Sequence, residues 1–365
     1  MRIVFEKRKA LSRKAIFLVP LASFFISLVL TAILLAIFDA NPFVTFAAMF
    51  KGAFGSWPNF TETLVKAIPL MLTGLGVLIA FRLKFWNIGA EGQLTFGGIA
   101  AAWVALFWSP FLANWMVLPT AIMVGMAAGA MWAGIPAFLK VRLKVDEVLT
   151  TLMLNYVAIL FAEHLYYGPW RDPKGFGFPG TPPFPEFAWL PRIAGRAHMG
   201  LIFALVLAVL IWFIINRTRW GFELKVIGIN PTAAQTQGIN IARNVLIALL
   251  LAGALSGLAG VCEVTGISRR LQQGLSIGYG YTAIIVAWLA QLNPIAAIIV
   301  ALLIAALLVG GDQVQMMMGL PDAMGLVIQG MLLFPMLAGS LFTEYKLRFI
   351  KQKETSVVST EQAAA

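Results

Sequence analysis

Seven residues in the apolar part of this chain can do chemistry: Asn87, Glu91, Gln93, Thr151, Asn155, Tyr279 and Tyr281. Their chemistry is hydrogen bonding. The run Asn87-Ile-Gly-Ala-Glu-Gly-Gln93 sets one carboxylate and two amides among Gly89 and Gly92, with Gly97 and Gly98 just beyond. Glycine at this density suits a helix that breaks, or one that lets a neighbouring backbone come close. An ionisable group in an apolar span ordinarily faces the bundle interior or a water-filled path. Glu91 therefore has three readings: it accepts hydrogen bonds from solute hydroxyls, it braces a broken helix, or it lies among lipid headgroups beside Arg82 or Lys84. Thr150, Thr151 and Asn155 recur at three- to four-residue spacing and share a helix face. That stripe either lines a pore or ties helices together. The run Gln272 to Tyr281 again opens an apolar stretch with Gly278 and Gly280, and its Ile277-Gly278 echoes Ile88-Gly89. Two glycine-interrupted spans in corresponding places point to a site near the membrane midplane. Tyr279, Tyr281 and Trp288 either stack on a flat ring or belong to packing and the aromatic belt.

Other chemistry is excluded by what the sequence lacks. It has no G-x-x-x-x-G-K-[ST], H-E-x-x-H or G-x-S-x-G. His164 and His198 are its only histidines and Cys262 its only cysteine, so no metal-ligand spacing and no internal disulfide arise. We expect no catalytic residue, no metal and no cofactor on this chain.

The elements that position these groups follow from composition. Of 365 residues, 60% are hydrophobic and 12% charged, with a mean hydropathy of +0.86. Soluble domains carry roughly twice that charge. The chain reads as an all-α polytopic transmembrane helical bundle. Its apolar runs are Ala15–Phe38, Thr63–Phe81, Ile88–Trp108, Trp115–Leu139, Val148–Tyr167, Met199–Ile215, Val245–Val264, Leu275–Ala290, Pro294–Val309 and Ala323–Phe342, ten in all. The pair flanking Gln291-Leu292-Asn293 is short, and as a re-entrant pair it would leave eight spans. With the N-terminus in the cytoplasm, inside segments hold 19 Lys and Arg and outside segments hold seven, which fits the positive-inside rule and returns the C-terminus to the cytoplasm. The formal charge of +11 is thus a matter of orientation in the bilayer rather than nucleic-acid binding. Residues 1–14 form a basic cytoplasmic start, 15–343 the membrane domain, and 344–365 an unstructured cytoplasmic tail.

Between the sixth and seventh runs lies Gly228-Ile-Asn-Pro-Thr-Ala-Ala234, followed by Gly238. Pro231 suits the first position of a helix and Asn230 the cap before it, and Gly238 stops it after about two turns. A short capped helix in a cytoplasmic loop is a docking knob for a partner. The loop from Gly168 to Ala197 is rich in proline and aromatics, extended around Gly180-Thr-Pro-Pro-Phe-Pro185, and offers the largest outer surface.

Taken together, Asn87–Gln93, Asp146–Tyr156, Gly228–Ala234 with Gly238-Ile239, and Gly278–Ile284 resemble the permease subunits of bacterial ABC importers for branched-chain amino acids and simple sugars, in particular the nucleoside-importer branch. The resemblance implies an inner-membrane permease with ATP on partner subunits. The partners it implies are two cytoplasmic ATPase subunits, a second homologous permease and an extracytoplasmic substrate-binding protein. It implies that Gly228, Asn230, Pro231, Ala233, Ala234 and Gly238 contact the ATPase, and that transport is by alternating access. A sugar or branched-chain amino acid importer is the alternative within the class. A lone ion-coupled secondary transporter is the alternative outside it.

Overall fold

A segment that buries its backbone in lipid must satisfy its own polar groups, and the long apolar runs accordingly fold as helices. The computed structural model describes residues 2–7, 13–38, 40–275, 277–318, 327–328, 330–335, 338–339 and 345–350. They fall into two units, Met1–Ala40 with Gly330–Ala365, and Asn41–Gln329.

The first unit holds strand β1 (Arg2–Lys7) and helix α1 (Arg13–Ile37). The second opens with α2 (Pro42–Phe54) and α3 (Trp57–Arg82). Asn41 caps α2 by accepting from Phe43 N and Val44 N, and Ser56 caps α3 through Asn59 N. Then come α4 (Ala90–Trp103), carried on by a π turn, α5 (Asn114–Phe138) and α6 (Glu147–Tyr167), capped by Asp146. Strands β2 (Arg192–Ala194) and β3 (Ala197–His198) pair within the following loop. The chain continues through α7 (Gly200–Arg217), α8 (Arg219–Ile229), α9 (Pro231–Thr236) and α10 (Ile241–Cys262), which a π turn extends to Ser268. Next are α11 (Tyr279–Leu289) and α12 (Pro294–Met318). In the first unit, β4 (Tyr345–Ile350) pairs antiparallel with β1, Arg2 opposite Ile350 and Lys7 opposite Tyr345. The two strands therefore share one side of any bilayer the chain crosses. The expected unstructured tail thus opens with a strand, and residues 351–365 lie outside the described residues.

The core of the second unit is α3 and α10, whose apolar windows are 89% and 72% buried. They run antiparallel: Glu62 and Lys66 in the first half of α3 share a cleft with Glu263 just past the end of α10, and a Cβ on Gly76 would sit 2.7 Å from Ala252 O. α10 packs on α4 and α5 through glycines; a Cβ on Gly257 would lie 2.5 Å from Gly125 O. No larger residue fits there without parting the helices.

The sequence predicts ten apolar runs, with eight spans as the lower count. Seven described helices are long and apolar enough to cross a membrane, or eight if Ala22–Ile37 with Pro42–Phe54 makes one span. The run Leu275–Ala290 is not among them. It folds as the 11-residue α11, about 16 Å long at 1.5 Å per residue, half the hydrocarbon thickness. Gly278, in the left-handed region at φ +92°, marks where the helix begins. The run after Asn293 is the full-length α12, so the two flanks do not form a re-entrant pair. Most of Ala323–Phe342 lies outside the described residues.

The loop between α6 and α7 is pinned to the C-terminal end of α10. Thr181 N donates to Leu271 O (2.8 Å), Phe184 N to Arg269 O (2.8 Å) and Leu190 N to Thr265 O (3.1 Å). The Arg269 guanidinium lies 3.8 Å over the Trp189 ring. His198 is fully buried between Gly200 and Gly266, and burial pushes its imidazole down to about 4, so it is neutral at physiological pH.

Candidate functional site

The two glycine-opened segments meet. Glu91, in the first turn of α4, is fully buried, and its carboxylate accepts from Gly278 N (2.9 Å) and Gly280 N, the opening amides of α11. A carboxylate at a helix N-terminus satisfies amides that lack an intrahelical partner and complements the positive end of the dipole. Gly280 makes the approach possible: a Cβ there would lie 2.2 Å from Glu91 N.

α6 closes the third side. Asn155 Oδ1 accepts from Gly92 N (2.8 Å), and its Nδ2 donates to Ile88 O (2.9 Å) and Tyr281 Oη (3.1 Å). One side chain thereby joins α4, α6 and α11. Asn155 lies eight residues into α6, about 12 Å from its start, so the junction sits inside the bundle and away from either surface. Asn87 and Gln93 bond each other, Gln93 Nε2 to Asn87 Oδ1 at 3.0 Å and Asn87 Nδ2 to Gln93 Oε1 at 3.3 Å. Asn87 Oδ1 also accepts from Gly89 N (3.2 Å). Thr151 returns its hydroxyl to Glu147 O (2.7 Å) and packs on Gly89.

The structure thus brings Asn87, Glu91, Gln93, Thr151, Asn155 and Tyr281 to one junction, with Tyr279 beside it as the first residue of α11. Of the three readings of Glu91, bracing a broken helix is the one its bonds realise. Tyr279 is buried, and Trp288 packs with Trp86 and Phe81 at centroid distances of 6.0 and 6.2 Å rather than with the tyrosines.

The opposite end of α11 is tied to α3. Arg82 Nη2 donates to Leu292 O (2.8 Å), just past α11. α8 bears on the same place, since a Cβ on Gly228 would lie 2.0 Å from Arg82 O. Asn230 caps α9 through Thr232 N (3.0 Å) and Ala233 N (3.2 Å), with Pro231 at its first position, and Gly238 follows at φ +75°. One member of the segment faces otherwise than a docking knob requires. Ala234 is fully buried and anchors the helix, whereas Pro231, Thr232, Gln235 and Thr236 are exposed. The amphipathy of a six-residue helix is too short to read from sequence. The link through Arg82 and Leu292 joins residues 210 apart and leaves no local signal.

Residues 59–337 match the family model described as branched-chain amino acid transport system / permease component. A guanosine ABC transporter permease of Bacillus subtilis is 33% identical over 346 residues, 92% of this chain and 96% of that protein. A glucose ABC transporter permease of Haloferax volcanii is 33% identical over 341 residues, covering 90% and 89%. A nucleoside ABC transporter permease of Lactococcus lactis is 31% identical over 305 residues, covering 80% and 83%. A bundle built on a buried carboxylate that holds a half-length helix, matched along most of its length to these proteins, belongs to the permease-component family of branched-chain amino acid transport systems.

Proposed function

We propose that this chain is the inner-membrane permease subunit of an ATP-driven importer of nucleosides. The observation that carries the reading is the Glu91 junction: a half-length helix whose N-terminus is held inside the bundle by two amides bonded to one carboxylate. Such discontinuous helices build transport sites near the midplane, and a short helix can tilt without dragging a whole span with it. The nucleoside permeases among its relatives support the substrate, and the half-buried Tyr281 stands at the junction to meet it. The glucose permease of equal identity supports a second reading, a sugar importer with the same mechanism.

In this account ATP binds and is hydrolysed on two cytoplasmic partner subunits. A second, homologous permease completes the path, and an extracytoplasmic binding protein delivers substrate at the loop between α6 and α7. The α9 segment rests on the ATPase. Closure of the ATPase pair pushes α8 against Arg82, Arg82 carries the push to Leu292, and α11 moves at its far end. Pairing of β1 with β4 supports an even number of crossings, and the excess of basic residues on the α9 side supports that side as cytoplasmic.

The coupling role is tested by crosslinking. In the complete transporter, Thr236→Cys should crosslink to a cysteine on the ATPase surface, whereas Phe178→Cys in the loop after α6 should not. Crosslinking of Phe178→Cys to the ATPase would invert the orientation, and crosslinking at neither position would favour a carrier that works alone.

A further inference from the structure

A second polar site lies at the end of the bundle away from α9. Glu62 and Lys66 on the first turns of α3 and Glu263 at the end of α10 face a cleft of about 450 Å³, with Gln272 and Gln273 at its rim and Tyr279 at its base. Tyr279 is the first residue of α11, so the cleft ends where Glu91 holds that helix. The remaining charges are Arg196, paired with Glu62 at 2.8 Å, and Arg270.

Three features point to a ligand. Lys66 stands well inside the apolar α3, and a charged group there is retained at a cost and ordinarily marks a solute path. Glu263 Oε1 is buried with no hydrogen-bond partner, an acceptor awaiting a donor. The walls combine acceptors (Glu62, Glu263), a donor (Lys66) and two glutamine amides that both give and take, a mixture that a ring of hydroxyls satisfies, since each hydroxyl also gives and takes a bond. The volume falls within the range of small-molecule sites.

We infer that this cleft is a solute chamber for a neutral polyhydroxylated molecule, a ribose or hexose unit, which waits there above the Glu91 junction before α11 moves. Glu263 accepts from a hydroxyl, Lys66 donates to one, and Tyr279 forms the floor. The inference rests on the importer reading and places its substrate.

The test uses the chain's single cysteine. Cys262 is buried, so a cysteine introduced at exposed Gln273 is the reactive one. In the complete transporter without ATP, Gln273→Cys should react with a membrane-impermeant thiol reagent. Guanosine or glucose at twice its dissociation constant should slow that reaction about threefold, by mass action. Leucine should not, and Phe178→Cys, outside the cleft, should react at a rate that no solute changes. Adding Glu263→Gln should remove the protection. Protection by leucine alone would assign the cleft to a zwitterion and overturn the inference, as would protection by none of the three solutes. If glucose protects and guanosine does not, the chamber stands and the nucleoside reading falls. If guanosine is transported but protects nothing, the chamber falls and that reading stands.

Discussion

Gly280→Ala should abolish transport by the complete transporter, and Glu91→Gln should lower it about 10- to 100-fold, with the subunit still assembled in the membrane. The two changes strike one contact from opposite sides. Alanine has the better helix propensity by about 1 kcal/mol, so on local grounds Gly280→Ala would stabilise α11. Its Cβ would nonetheless fall 2.2 Å from Glu91 N and 2.6 Å from Glu91 Cα, where backbone meets backbone and neither side can turn away. Glutamine in place of Glu91 keeps one acceptor but turns an NH₂ toward the second amide, donor against donor. It loses a charge-assisted bond worth about 1.5–3 kcal/mol, which converts to the stated range. Glu91→Asp keeps the charge at shorter reach and should fall between wild type and Glu91→Gln. The measurement is initial uptake rate normalised to assembled transporter. Normal rates in Gly280→Ala would show that α11 does not need to meet Glu91.

The second large effect is expected at the other end of α11. Gly228→Ala should cut transport at least about tenfold while the partner subunits continue to hydrolyse ATP. The Cβ would lie 2.0 Å from Arg82 O, in the last turn of α8, and overpacking of this kind costs about 1–3 kcal/mol. The strain is relieved by moving α8 and α9 away from α3, which separates the ATPase-facing segment from Arg82 and Leu292. The ratio of ATP hydrolysed to solute moved should therefore rise. An unchanged ratio would mean that the push does not travel through this contact. Arg82→Lys, which keeps the charge but has a shorter, single-pronged donor, should raise the ratio less.

Much of this was legible in the sequence because it depends on local chemistry. The cap at Asn230, the start at Pro231 and the stop at Gly238 follow from side-chain reach and backbone freedom, and each stands where those rules place it. The repeated glycine openings of α4 and α11 were also legible, as was the polar face of α6 that includes Asn155. The length of α11 was not, because an apolar run has one hydropathy whether it is helical throughout or only beyond Gly278. The partners of Glu91 were not legible either. They are backbone amides 187 and 189 residues away, and backbone amides leave no residue-type signal. Lys66 in isolation suggests a side chain reaching for the headgroups. Only the fold brings Glu263 from α10 beside it at the cleft.

The central claim is that this subunit carries nucleosides under the control of ATP hydrolysed elsewhere. It is tested most directly by uptake of labelled guanosine into vesicles holding the complete transporter, its binding protein in excess, with unlabelled guanosine, glucose or leucine as competitor. Uptake should require ATP, stop when the partner ATPase is inactivated, and be suppressed by guanosine but not by leucine. Uptake that persists with an inactive ATPase, or that glucose suppresses while guanosine does not, would contradict it.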